Sequence, residues 1–258
     1  MPTYRLIVEY DGSAFHGLQY QPALRTIAGE LEASLSRIFH EAVKITAAGR
    51  TDAGVHATGQ VVSFTAARTF PVERLALAIN GNTAGDLAVR DAAIVADGFS
   101  ARFDALERAY DYLILNRGFP SAVWRARAWF VPAPIDRARF ADAARPLLGT
   151  HDFAAYCGDR PERGGTERTV NAIDLTMLDR DVLRVTVRGK GFLHHMVRVL
   201  VGTLVECATG LRETTFAEAA LATRDRTQAG TTAPAHGLYL AGVRYAGLDT
   251  YRPVVVAP

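Results

Sequence analysis

Cysteine is scarce in this chain: its 258 residues include only Cys157 and Cys207. Two thiols that far apart supply neither a zinc ligand set nor a disulfide framework, so the expectation is reduced thiols, Cys207 buried on a helix, and a fold held by its core. Lysine is equally rare. Lys44 and Lys190 are the only lysines among 29 basic residues, so positive charge is carried by guanidinium, which grips phosphate bidentately and stacks on bases. A GC-rich genome would produce the same arginine and alanine bias, so the bias alone does not identify a nucleic-acid binder. Charge of one sign is not in excess either, and a formal net charge of +2 excludes a dedicated polycation. No run of about eighteen apolar residues is present, and Met1-Pro2-Thr3-Tyr4-Arg5 has no basic region leading into an apolar export segment. The expectation is a soluble, cytoplasmic protein without a membrane partner. With 49% hydrophobic residues the chain can bury a large core, as one domain or two, and disorder is excluded.

Hydrophobic periodicity predicts a repeated α+β architecture. Thr3 to Tyr10 alternates as a strand, and Ile27, Leu31, Leu35, Ile38 and Phe39 recur at helical spacing between Thr26 and His40. Strands at Val43 to Ala48 and Gln60 to Thr65, a helix starting at Pro71 and a strand from Leu87 to Val95 complete the order β-α-β-β-α-β. The second half repeats that order with insertions. Strands at Tyr110 to Leu115 and Ala128 to Val131 lead to a helix from Asp136, its N-cap, to Leu148. Strands at Val170 to Met177 and Val182 to Arg188, helices at Leu193 to Ala208 and Phe216 to Leu221, and a strand at Leu238 to Tyr245 follow. The expected fold is two tandem ferredoxin-like halves, residues 1–104 and 105–258. Their sheets would join into one long, mainly antiparallel sheet with helices on one face and a cleft on the other. Ala122 to Arg127 and Gly158 to Glu167 are the expected long loops.

Chemistry concentrates between Gly49 and Phe64, Gly-Arg-Thr-Asp-Ala-Gly-Val-His-Ala-Thr-Gly-Gln-Val-Val-Ser-Phe. One carboxylate, Asp52, stands in a loop punctuated by glycines 49, 54 and 59, which are expected to permit positive φ and close ligand approach. From residue types alone Asp52 is a catalytic carboxylate beside a positioning arginine, a metal ligand, or a turn residue capping its own backbone.

This loop resembles the catalytic motif of the TruA family of tRNA pseudouridine synthases, and ordered matches continue along most of the chain. They include Tyr10-Asp11-Gly12 with Phe15, Gly17 and Gln19, then Phe99-Ser100-Ala101-Arg102-Phe103 with Arg108 and Tyr110. Further on come His151-Asp152-Phe153, Arg168-Thr169, Gly191-Phe192-Leu193 with Met196-Val197-Arg198, and Ala233-Pro234 with Gly237-Leu238. The resemblance implies isomerisation of uridine to pseudouridine at positions 38 to 40 of the tRNA anticodon stem-loop, by a homodimer without cofactor or metal. It implies the same two-half fold, with the active site in the cleft. Asp52 is then the catalytic residue, and Arg50 enters the RNA to hold the flipped base and pairs with Asp52 in the free enzyme. Tyr110 stacks on that base, and Leu238 lines the other side of the pocket. Phe99, Ser100, Ala101, Arg102, Phe103, Arg168 and Thr169 become RNA contacts, and the Gly158 to Glu167 loop a flap that orders on tRNA.

Departures from the family pattern are Leu18 in place of tryptophan, Ala28 in place of glutamine, Thr83-Ala84 in place of Leu-Pro and Lys190 in place of asparagine; none touches Asp52, Arg50, Tyr110 or Leu238. A metal site receives little support: His194 and His195 are adjacent and would diverge in a regular helix or strand, and His16 and His56 form no ligand-spaced pair. Those two adjacent histidines are expected to be structural, or RNA contacts at a helix N-terminus. Two other classes stay open, a non-catalytic tRNA-binding protein and a metal-dependent phosphoester hydrolase built on Asp52, Asp11 and histidines.

Overall fold

The computed structural model describes residues 1–161 and 164–255. In chain order the elements begin β1 (Thr3–Tyr10), α1 (Ile27–Phe39), β2 (Thr46–Ala47), β3 (His56–Thr65), α2 (Val72–Asn80) and β4 (Leu87–Val95). Next come β5 (Glu107–Asn116), β6 (Trp129–Val131), α3 (Arg137–Ala144), β7 (Gly149–Asp152), β8 (Glu167–Asp179) and β9 (Val182–Gly189). The chain continues through α4 (Met196–Ala208), α5 (Phe216–Thr223), β10 (Leu238–Tyr245) and β11 (Leu248–Asp249). This is an α+β protein whose strand pairing is mixed. Its residues group into two compact units, Met1–Arg108 with Tyr239–Val254, and Ala109–Leu238 with Val255. Among the described residues no helix is long and apolar enough to cross a membrane.

In the first unit the strands lie in the order β4-β1-β3-β10. β1 runs antiparallel to both β3 and β4, whereas β10 runs parallel to β3, with Tyr239 beside His56 and Leu240 beside Ala57. Tyr10, at the end of β1, lies opposite Ala57, so β1 delivers its last residues next to the chain that has just left the Asp52 loop. Thr26 starts α1 by accepting the Gly29 N–H, which satisfies one of the donors a helix N-terminus leaves open. The helix buries Leu31, Leu35 and Phe39, and Phe39 meets Tyr4 and Phe64 edge-on at 5.4 and 5.5 Å while those two rings stack at 5.0 Å. Aromatic pairs of this geometry contribute about 0.5–1.5 kcal/mol each beyond the area they bury.

In the second unit β7, β8 and β9 form an antiparallel ladder, β5 lies beside β9, and β6 pairs with β5 in parallel. Asp136 caps α3 as expected, accepting from the Ala138 and Arg139 N–H groups. α4 is buried on nearly every side, as an all-round apolar helix must be. Gly202 lets the 229–233 segment cross α4 there, because any side chain would strike the Thr231 carbonyl. The sequence places the start of this helix at Leu193, but it begins at Met196, since His195 adopts a left-handed conformation at φ 59°. β7 has no counterpart in the periodicity reading, its four residues Gly149-Thr150-His151-Asp152 being too polar and too short to register.

Candidate active site

The Asp52 loop leaves β2, turns and enters β3, and neighbours within its own unit brace it on each side of the aspartate. Before it, the Ala48 N–H donates to Val61, the Gly49 carbonyl accepts the Gln60 side-chain amide at 2.8 Å, and Gln60 is fully buried. The Thr51 hydroxyl is 2.8 Å from the phenol oxygen of Tyr10, and its carbonyl accepts the Leu18 N–H at 3.0 Å. Beyond the aspartate, the Asp52 carbonyl accepts the Val55 N–H. His56 Nδ1 accepts the Gly12 N–H at 3.1 Å, stands 3.2 Å from Asp11 Oδ1, and its ring stacks on Tyr239 at 4.6 Å. At Gly12 the two chains pass so closely that a Cβ would collide with the Val55 carbonyl. Tyr10-Asp11-Gly12 is thus the buttress of the Asp52 loop.

Burial acts on the Tyr10 phenol most strongly of all its surroundings and pushes it up to about 12, against the smaller opposing pull of the Thr51 and Gln60 hydrogen bonds. The phenol therefore stays neutral and available as a hydrogen-bonding brace. Asp52 itself is half-buried and Arg50 is exposed. Thr51 is held inward, and strand-like alternation places Arg50 and Asp52 together on the opposite side. Of the three glycines, Gly54 has a positive φ, at 78°; Gly59 instead allows the β10 backbone at Ala241 to approach, and Gly49 has a φ any residue adopts. Leu18, where the family pattern has tryptophan, remains buried and keeps its backbone bond to Thr51.

Arg108 ties the loop to the next group of expected contacts. Its guanidinium donates to the Ala48 carbonyl from Nε and Nη2 at 3.1 and 2.9 Å, and also to the carbonyls of Arg102 and Ala105. Ala101 is buried, its N–H on the Ser63 hydroxyl and its carbonyl accepting from Tyr245. Ser100 closes the turn with Asp104 and Phe103, and Phe99 lies 5.3 Å from the Tyr245 ring. Arg102 lies 5.4 Å over the ring of Phe103, which is 79% exposed. Arginine and aromatic ring are presented outward together, while Ala101 is a core anchor.

In the second unit Tyr110 is buried on β5 and meets Phe192 edge-to-face at 5.3 Å. Leu238 is buried at the end of a segment fixed to its own unit: Arg198 Nε donates to the Ala233 carbonyl, and Tyr112 donates to that of Pro234. Arg168 lies opposite His151, its guanidinium on the carbonyls of Glu167 and Gly165, and the Thr169 hydroxyl is 2.8 Å from that of Thr150. Glu162 and Arg163 of the expected flap lie outside the described residues. His194 and His195 do not diverge: the left-handed backbone at His195 stacks their rings at 3.7 Å. Asp159 Oδ2 lies 2.9 Å from His194 Nδ1, and the Gly158 N–H donates to the His194 carbonyl. Cys157 and Cys207 are free, buried thiols, held above the ordinary thiol range chiefly by that burial.

Sequence reasoning assigned no role to Tyr10, Thr51, Gln60 or Arg108, the residues that brace the loop, nor to Phe192, the ring facing Tyr110. Tyr10, Arg108 and Phe192 are themselves members of the quoted matches, which was the available signal for them.

A profile described as tRNA pseudouridine synthase matches residues 6–104 and 143–246. Curated relatives carry the name tRNA pseudouridine synthase A. The protein from Caulobacter sp. (strain K31) is 40% identical over 250 residues, spanning 96% of this chain and 99% of its own. That of Halalkalibacterium halodurans is 42% identical over 92% of this chain and 90% of its own, and that of Bacillus subtilis (strain 168) 38% over 92% and 97%. An α+β scaffold carrying a braced aspartate loop, with likeness over nearly the whole length, defines an enzyme of the isomerase class. The chain belongs to the tRNA pseudouridine synthase family.

Proposed function

We propose that this protein converts uridine to pseudouridine in tRNA at positions 38 to 40 of the anticodon stem-loop, with Asp52 as the catalytic carboxylate and no cofactor. The observation that carries this reading is the bracing of the Asp52 loop by Tyr10, Gly12, Leu18 and Gln60, which holds a half-buried carboxylate on backbone that cannot easily drift. Isomerisation breaks the bond from C1′ to N1 and forms one from C1′ to C5. The C5 proton leaves to solvent, N1 gains a proton, and no electron is exchanged. Asp52 serves this by attack at C6, by attack at C1′, or by drawing the C2′ proton towards a glycal.

The target base has to leave its stack, at a cost of a few kcal/mol. Arg50 is exposed two residues before Asp52, which suits a side chain that enters RNA. In this reading Tyr110 and Leu238 hold the flipped uracil, and the chain is built as two ferredoxin-like halves. Arg102, Phe103, Arg168 and Thr169, with neighbouring Phe99 and Ser100, contact or support the RNA surface, Ala101 fixing their segment from beneath. A cytoplasmic homodimer is the expected working form.

The test is tritium release from tRNA labelled at uracil C5, with EDTA present. Release stoichiometric with pseudouridine supports the synthase. Binding without release points to a non-catalytic tRNA-binding protein, and phosphoester cleavage restored by divalent metal points to a hydrolase; either overturns the reading.

A further inference from the structure

Both tryptophans of the chain lie in one place, outside every segment used so far. Trp124, Trp129 and Phe130, with Ser121, Arg125 and His236, line a cavity of about 260 Å³ in the second unit. All three aromatic residues are half-buried. Its walls are held from behind: β6 is in register with β5, with Trp129 opposite Ile114, and Trp129 meets the Tyr112 ring edge-to-face at 6.2 Å. The Trp124 carbonyl accepts the N–H groups of Arg127 and Ala128, and the Ser121 hydroxyl accepts the Trp124 N–H. These bonds fix the 121–128 turn although it belongs to no long element.

The segment that builds the cavity is basic, although Arg117 is paired with Asp181 at 3.3 Å. Between Asp111 and Asp136 the sequence contains no acidic residue, while Arg117, Arg125 and Arg127 all fall in that interval. Arg125 and Arg127 are exposed at the turn, and Arg117 lies 4.2 Å over the ring of Phe119, itself 62% exposed. Aromatic faces supply sequence-tolerant stacking for an unpaired base, and guanidinium groups beside them meet the flanking phosphates. The Ser121 hydroxyl, which accepts the Trp124 N–H, keeps its own proton for a base edge. The volume suits one planar base, being below the roughly 300–1,000 Å³ of ordinary small-molecule pockets. An apolar protein partner would gain nothing from the exposed guanidinium of Arg125 at the cavity.

We infer that the Trp124–Trp129 cavity is an accessory RNA site that receives one unpaired nucleobase of the bound tRNA, with Arg125 on the adjoining phosphate. This rests on the reading of the protein as a tRNA enzyme and adds to it a contact separate from the Asp52 loop and from Tyr110 and Leu238. His236, two residues before Leu238, is the element the cavity shares with the segment that carries Leu238.

The tryptophans make the test direct, because all indole emission of the intact protein arises at this cavity. Unmodified tRNA transcript and a short oligouridylate are titrated into the wild-type protein, following emission and, in parallel, filter binding and tritium release. Saturable quenching whose midpoint matches the binding isotherm is the expected result. Trp124→Ala should then raise the Kd for both RNAs by roughly five- to a hundredfold, the equivalent of losing one base–aromatic stack, while Trp124→Phe should stay within about threefold because a stacking face remains. If Trp124→Ala fails to fold, Arg125→Glu, at an exposed position, replaces it with the same expected direction. Emission indifferent to RNA that is demonstrably bound would overturn the inference. So would emission that shifts with protein concentration alone, since a second copy of the chain would then cover the cavity. Tritium release without quenching would sink this site and leave the synthase reading intact; quenching without release would do the reverse.

Discussion

Removing the Thr51 hydroxyl tests whether the loop is braced through Tyr10. The two oxygens are 2.8 Å apart in a buried setting, and the remaining neighbour of the phenol, Gln60 Nε2, is a donor at 3.4 Å. Thr51→Val keeps the shape and deletes the partner, leaving the Tyr10 O–H proton without a good acceptor, which costs about 1–3 kcal/mol. Tyr10→Phe removes the other partner and should cost about 1 kcal/mol. The double variant removes both polar groups together, so its cost should fall short of the sum by about 1–2 kcal/mol. Urea unfolding of the four proteins reads the stability cycle, and single-turnover rates at saturating enzyme read the consequence for Asp52. The rate should fall in Thr51→Val while tRNA affinity holds, because the loop and not the RNA surface is loosened. Additivity within about 0.5 kcal/mol would refute the bond as a brace, and an unchanged single-turnover rate would refute its link to the catalytic loop.

The same phenol supplies a pH signature: its folded value is raised to about 12 from an ordinary 10.0, so its contribution is complete below pH 10 and is lost as pH climbs from about 10 to about 12, roughly 3 kcal/mol in all. Alkaline melts should show this limb reduced in Tyr10→Phe, and an identical limb in both proteins would contradict it. Asp52→Asn should abolish pseudouridine formation and leave tRNA affinity within about tenfold, since it removes the reacting carboxylate and no phosphate contact; measurable turnover by a clean preparation would overturn the assignment. Arg50→Ala should lose much of its single-turnover rate on a folded stem-loop and less on RNA whose target uridine is already unpaired, where less of the flipping cost of a few kcal/mol remains. Equal loss on both would leave Arg50 acting after flipping. Affinity should fall with salt at a log-log slope of about −0.7 to −0.9 per phosphate neutralised, and the Arg102→Ala, Arg168→Ala double variant should flatten that slope; an unaltered slope and Kd would move the binding surface elsewhere.

What could be read from the sequence was local. Asp136 was legible as a cap because a capping side chain answers to N–H groups two or three residues on. The Asp52 loop was legible because its motif is contiguous. The parallel pairing of Tyr239 with His56, and the return of Tyr239–Val254 to the first unit, leave no such trace. Register between distant strands is fixed by packing and not by any neighbouring residue. Gln60 illustrates the same limit: alternation places it correctly in a strand, but its amide reaches Gly49 only because the loop folds back over it.

The histidine pair shows why the local reading fails where it does. Divergence of His194 and His195 follows from a regular helix or strand, both of which assume negative φ throughout. One residue at φ 59° removes that premise and turns the rings onto each other. Backbone in that region is costly for a residue with a Cβ and persists where surroundings over-determine it. Here Gly158 supplies the determination: its N–H holds the His194 carbonyl, and a side chain at that position would approach His195 Nδ1 to 2.8 Å. The glycine that makes the arrangement possible stands more than thirty residues upstream, in the loop expected to be a flap that orders on tRNA. A non-glycine residue at 158 would press on the left-handed residue that sets the start of α4, and with it the stretch leading from Phe192, the ring against Tyr110. Conformation at one end of a loop therefore reaches the candidate base-stacking residue through backbone geometry, a route that no spacing rule along the sequence could have exposed.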